Sequence, residues 1–126
     1  MLTSMFVNAA FAPQQAVPAT VIYKEAPALT QVNPKQLARE LLTKKQFACF
    51  TKLMGKESAW KPSAKNPKSS AKGIGQLLDS TYRNLGMKHS QAGVPQVVAT
   101  LAYIGRKYGS SGPCGAWKHF QRHNWY

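Results

Sequence analysis

From residue 33 onward, apolar positions recur at helical spacing. Asn33-Pro34 joins a favoured N-cap residue to a proline suited to the first helical position, which opens a helix. Leu37, Leu41 and Leu42 carry its apolar side to about Thr43. A second helix is predicted from about Lys45 to Lys56. At about 100° per residue, Phe47, Phe50, Leu53, Met54 and Glu57 fall within roughly a 120° arc. Lys45, Lys52 and Lys56 lie opposite, so the lysines read as a solvated face and the arc as a core face. Residues 58–75 break any period with Trp60, Lys61-Pro62, Asn66-Pro67, Ser69-Ser70 and Gly73, and read as a loop. A helix is expected from about Ile74 to Leu85, with Gly86 as its stop. Another spans Pro95 to Lys107, with Val98, Leu101, Ala102 and Ile104 apolar, and ends at Tyr108-Gly109. Ser110 to Pro113 reads as a turn, and the last helix runs from about Cys114 to Arg122. No alternating run supports a strand, so the class is mainly α.

Residues 1–33 depart from this pattern. They are rich in Ala, Pro, Gln and Val, and Pro13, Pro18 and Pro27 disfavour a long helix. They read as an extended Pro-rich arm or linker ahead of a globular unit at 34–126. Met1 to Ala12 is apolar and closes on Ala10-Phe11-Ala12, similar to a signal-peptide cleavage site. The stretch is short and lacks a preceding basic residue. A cleaved signal and an uncleaved arm that packs on a partner both stay open. No apolar run approaches the roughly 18–20 residues that cross a bilayer.

Charge changes the picture most. The 126 residues carry 17 Lys and Arg against four Asp and Glu, a net charge of +13. Residues 1–34 hold only Lys24 and Glu25, so the excess lies in the globular part. A polyanionic partner follows, and nucleic acid, anionic lipid and a bacterial wall all qualify. No helix-turn-helix, zinc or RNA-binding signature supports nucleic acid. Cys49 and Cys114, 65 positions apart, fit neither zinc spacing nor a CxxC pair. They are two buried thiols or one disulfide.

With four carboxylates, candidates for acid/base chemistry are few. Glu25 lies in the arm, Glu40 sits among Arg39, Lys44 and Lys45, and Asp79 suits a helix start or the surface. Glu57 shares the apolar arc of its helix. Burial there disfavours the charged form and raises the pKa, as a glycosidase acid requires. By position alone, a capping Glu or one paired with Lys61 or Lys65 is the simpler role.

The neighbouring residues reverse that order. Glu57-Ser58-Ala59-Trp60 is followed by Ala64, Asn66-Pro67, Ser69-Ser70-Ala71 and Gly73-Ile74-Gly75-Gln76-Leu77. The string resembles the soluble lytic transglycosylase family, related to goose-type lysozyme. Cys49, Tyr103-Ile104, Arg106 to Gly109, Pro113-Cys114, Ala116-Trp117 and Trp125-Tyr126 extend the likeness to its compact single-domain branch of actinobacteria and phages. The resemblance implies a small lysozyme-like helical domain. It implies Glu57 as catalytic acid/base, Ser58 as its hydrogen-bonding support, and Gln76 as a contact to an N-acetyl group. It places Leu78 and Thr81 along the groove and gives Gly73 and Gly75 a backbone that approaches the glycan. It also implies a Cys49–Cys114 disulfide. The larger family has an Ala-Tyr-Asn segment whose Tyr touches the Glu. Here the corresponding helix reads Ala116-Trp117-Lys118-His119-Phe120, and Tyr103 or His119 is the expected replacement.

The implied reaction cleaves peptidoglycan between N-acetylmuramic acid and N-acetylglucosamine, leaves a 1,6-anhydro ring, and needs no metal or organic cofactor. His119 and His123 stand four apart on one helix face, but no Glu lies between them and no third ligand is evident, so no metal site is expected. Trp60, Trp117 and Trp125 suit either sugar stacking or core packing. Lys61, Lys65, Lys68 and Lys72 form a solvated loop or steer the protein to an anionic wall. An extracytoplasmic or virion-associated enzyme is the first reading, with phage entry or lysis as its setting and virion proteins as partners of residues 1–33. The alternative is a basic virion or wall-binding protein that keeps the fold with little activity.

Overall fold

The computed structural model describes residues 32–126. The expectations of an arm and of a signal segment within residues 1–31 lie outside them. Helix α1 is Pro34–Leu41. Asn33 caps it by accepting hydrogen bonds from the amides of Lys35 and Gln36, which satisfies donors the first turn leaves unpaired. Helix α2 is Lys44–Ser58, capped by the Thr43 hydroxyl. It runs two residues beyond the expected end, so Glu57 lies in its last turn.

The chain does not resume a helix at Ile74. Residues 59–78 are a continuous loop, and α3 is only Asp79–Leu85. Positive φ at Gly73 (81°) and Gln76 (53°) is incompatible with a right-handed helix. Local helical spacing therefore loses here to tertiary anchoring. The loop carries two isolated antiparallel bridges, Lys65 to Lys72 and Lys72 to Leu77, and no strand forms among the described residues. Helix α4 is Gly93–Tyr108. It buries Gln96, Val97, Ala99, Thr100 and Ile104, while Val98 and Ala102 face solvent. A short 3-10 turn, Gly109–Ser111, leads to α5, Gly112–His123, which begins two residues before the expected start.

The fold is mainly α. Phe50, Leu53 and Met54 of α2 meet Val97, Ala99 and Ile104 of α4, Ala116 of α5, and Ile74 and Leu77 of the loop in one apolar core. Helix α2 is tied to α5 twice. Cys49 and Cys114 form a disulfide with their Cα atoms 4.9 Å apart. Beside it, the Gln46 carboxamide accepts from the Cys114 amide at 2.8 Å and donates to the Ser111 carbonyl at 3.3 Å. The start of α5 is thus satisfied by a side chain from α2. No described helix is long and apolar enough to cross a membrane.

Candidate active site

Helix α2 ends abruptly. Ala59 and Trp60 both take positive φ, and their amides close back on the Gly55 and Met54 carbonyls. The chain reverses directly after Glu57-Ser58, which sets Glu57 at the lip of a cleft of about 320 Å³. Gln76, Leu77, Leu78, Tyr103, Lys107, Trp125 and Tyr126 complete its lining. Half-burial pushes the Glu57 carboxyl up from its ordinary 4.5 to about 7. Desolvation is the cause, because the charged form loses water without gaining a cation. Glu57 forms no ion pair with Lys61 or Lys65; the one ion pair among the described residues joins Lys72 to Asp79.

The cleft wall opposite α2 is the loop 73–77, and buried polar side chains hold it. Ser58 is 8% exposed and donates to the Ile74 carbonyl at 2.6 Å. The Ile74 amide donates to the Gln96 carboxamide at 2.8 Å. Gln96, 1% exposed, also donates to the carbonyls of Pro62 and Ser90. One glutamine of α4 therefore fastens three stretches of irregular backbone, as unpaired buried amides and carbonyls require. The Ser58 hydroxyl is engaged with the Met54 and Ile74 carbonyls, so it ties the end of α2 to the loop. Gly73 and Gly75 are likewise buried: a Cβ on Gly73 would strike the Gln96 carboxamide, and one on Gly75 the Thr100 hydroxyl. Their small size accommodates α4.

Gln76 does line the cleft. Its amide nitrogen donates to the Ala64 and Gly73 carbonyls at 3.1 and 2.8 Å, which leaves the carboxamide oxygen to accept from a ligand N–H. Leu78 supplies an exposed apolar edge. Thr81 is half-buried and is not part of the lining. Tyr103 lines the cleft, and His119 does not. His119 instead packs edge-on against Trp125, with its Nδ1 2.8 Å from the Trp125 carbonyl oxygen.

Three lining residues escaped the sequence reading: Leu77, Lys107 and Tyr126. Tyr126 is buried, and its hydroxyl donates to the Gly75 carbonyl at 2.5 Å. Burial, and next the charge of Glu57, hold its pKa well above the ordinary 10, so it stays a neutral donor. Its backbone carbonyl accepts from the Tyr103 hydroxyl at 3.0 Å. Tyr126 thus brings the segment after α5 to the cleft and joins it to both the loop and α4. Its proximity to Glu57 had no signal in local periodicity, since it follows the last helix. A separate cleft of about 550 Å³, lined by Pro62, Ser63, Ala64, Lys65, Lys72, His89 and Gln91, contains no carboxylate. Among the described residues no three His, Cys, Asp or Glu side chains gather as a metal site.

The model of the transglycosylase SLT domain family matches residues 29–102, more than half of the chain, and the chain belongs to that family. The matched span contains Glu57-Ser58 and Gly73 to Gln76 and stops before α5. Membership makes this a domain of the lytic transglycosylase type and points to peptidoglycan as its substrate. No curated protein and no solved structure matches the chain.

Proposed function

We propose that the protein is a peptidoglycan lytic transglycosylase that cleaves the bond between N-acetylmuramic acid and N-acetylglucosamine. Glu57 is its single acid/base. The observation that carries this reading is a carboxyl raised to about 7 in a cleft whose other lining residues include no Asp or Glu. A two-carboxylate hydrolase places its second carboxyl about 5–5.5 Å away if retaining and about 6.5–9.5 Å if inverting. Asp79 is engaged with Lys72 at 3.4 Å and lies outside this lining.

In the proposed sequence, protonated Glu57 donates to the glycosidic oxygen as the bond to the muramyl C1 breaks. The glucosamine residue departs as an alcohol. The ionised carboxylate then takes the proton of the muramyl 6-hydroxyl, whose oxygen bonds to C1 and closes the anhydro ring. An internal nucleophile of this kind needs no activated water. Gln76 is suited to hold an N-acetyl group, and Leu78 to pack on a sugar face. Residues 34–126 form the catalytic unit in this reading, and 1–33 form an arm outside it. The working place is extracytoplasmic; attachment to a virion is the finer version of the same proposal.

Digestion of purified peptidoglycan, with mass spectrometry of the fragments, tests the reading. Products ending in 1,6-anhydromuramic acid are expected. Reducing ends alone would remove the transglycosylase mechanism and leave a hydrolase. Intact strands would favour the alternative of a wall-binding protein.

A further inference from the structure

Lys107 is the cation on the wall of the Glu57 cleft, and its surroundings hold it in place. Its ammonium donates to the Tyr103 hydroxyl at 3.1 Å. It lies 4.5 Å from the centre of the Trp125 ring, 5.5 Å from that of Tyr103 and 5.6 Å from that of Tyr108. Three aromatic faces attract a positive charge without neutralising it. Among the described residues, no Asp or Glu reaches it at ion-pairing distance.

The charge does not serve Glu57 either. A cation beside that carboxyl would lower its pKa, whereas burial alone acts on it and raises it. An ammonium has three donors, and one is engaged with Tyr103. The cleft therefore presents a fixed positive charge with free donors, in a space of about 320 Å³ shared with Glu57. That volume is at the small end for ligand sites. A sugar residue whose glycosidic oxygen meets Glu57 thus brings its ring substituents near Lys107.

The sugar rings of peptidoglycan are uncharged. Its carboxylates hang from the 3-O-lactyl group of the muramyl residue. We propose that Lys107 binds a carboxylate on that lactyl substituent and so distinguishes a muramyl from a glucosamine residue in the cleft. The proposal rests on reading the cleft as a glycan site. The carboxylate has two sources: the lactyl group itself where the peptide has been removed, or the stem peptide where it remains. Lys107 acts here by binding and takes no part in proton transfer.

Calorimetry on the full chain carrying Glu57→Gln tests this without cleavage. Three tetrasaccharide probes are needed: an uncharged N-acetylglucosamine oligomer, a muramyl-containing one with free lactyl carboxylates, and the same oligomer bearing stem peptides. Adding Lys107→Met should weaken a carboxylate-bearing probe by about tenfold, the loss expected for one charge-assisted hydrogen bond. The uncharged probe should change by less than about twofold, since it offers no partner to the charge. Lys107→Arg should restore the difference, and added salt should shrink it. Whichever charged probe is affected identifies the source. In enzyme with Glu57 intact, the loss should fall on KM more than on kcat. Equal weakening of all three probes would assign Lys107 a structural role under Trp125 and overturn the proposal. No weakening of any probe, or no binding of any probe with Lys107 present, would also overturn it. Carboxylate-selective binding in a protein that leaves strands intact would sink the proposed reaction and leave this contact standing.

Discussion

Glu57 and Asp79 flank the same loop, one at each end, and meet opposite surroundings. Glu57 closes α2 half-buried, with no cation among the described residues paired to it, and its carboxyl is held up to about 7. Asp79 opens α3 at the rim, paired with Lys72 at 3.4 Å and close to half exposed. Burial disfavours the charged form of the Glu57 carboxyl. The same chemical group is therefore half-buried with a raised pKa at one end of the loop and held in a surface ion pair at the other.

The sharpest way to break this comparison is to neutralise each carboxylate in turn. Glu57→Gln keeps the size and polarity of the side chain. It should leave the thermal unfolding curve in place and lower the rate of strand cleavage by about 10²–10⁴-fold, the range for losing a general acid. Asp79→Asn removes a surface ion pair of small energetic value and should change the rate by less than about twofold. Equal sensitivity at both positions, measured as soluble fragment release, would mean that the contrast in burial has no catalytic meaning.

Acidity offers a second route. The acid step needs Glu57 protonated, so kcat/KM should decline by about tenfold per pH unit above about 7. Stability follows the same group. The folded protein retains the Glu57 proton between 4.5 and about 7, whereas the unfolded chain releases it. This contribution is complete below 4.5, fades as pH rises through that window and is absent above about 7. Glu57→Gln should flatten that part of the stability profile. A wild-type kcat/KM that stays level to pH 9 would contradict the role given to the raised carboxyl.

Supports of the cleft should matter less than its acid. Replacing both Cys49 and Cys114 by Ser frees a link across 65 positions and should lower unfolding free energy by about 2–4 kcal/mol, read from denaturant titration. Ser58→Ala removes the donor to the Ile74 carbonyl and should cost about 1–3 kcal/mol. If Ser58→Ala instead leaves stability unchanged while abolishing cleavage, the serine acts on the Glu57 side rather than on the loop. Deleting residues 1–32 should have the smallest effect, with activity on soluble glycan fragments retained. A folded but inactive product would move the domain boundary.

The helices were legible because each carries its own signal: Asn33-Pro34 at one start, the Phe47 to Glu57 arc along α2, Gly86 after α3. The expected helix from Ile74 was not correct. Ile74 and Leu77 have helical spacing, but the Ser58 hydroxyl takes the Ile74 carbonyl and Gln96 takes its amide, so the backbone polarity is satisfied across the fold instead of along a helix. Gln96 and Thr100 gave no warning of this, since polar residues on a helix usually face water. Between the two expected replacements for the family tyrosine, Tyr103 reaches the cleft and His119 remains behind Trp125.

By itself the sequence determined the helical class, the position of Glu57 on an apolar arc, and the family through the ordered string from Glu57 to Leu77. These depend on neighbours within a few residues or on motif order, which are written linearly. Only the tertiary structure decided that Ser58 reaches the loop and that Gly73 and Gly75 pack on α4, that Tyr126 returns to the cleft, and that Lys107 stands among three aromatic rings. Those outcomes arise from pairings between distant segments, in which each buried polar group and each charge takes the partner that packing brings within reach.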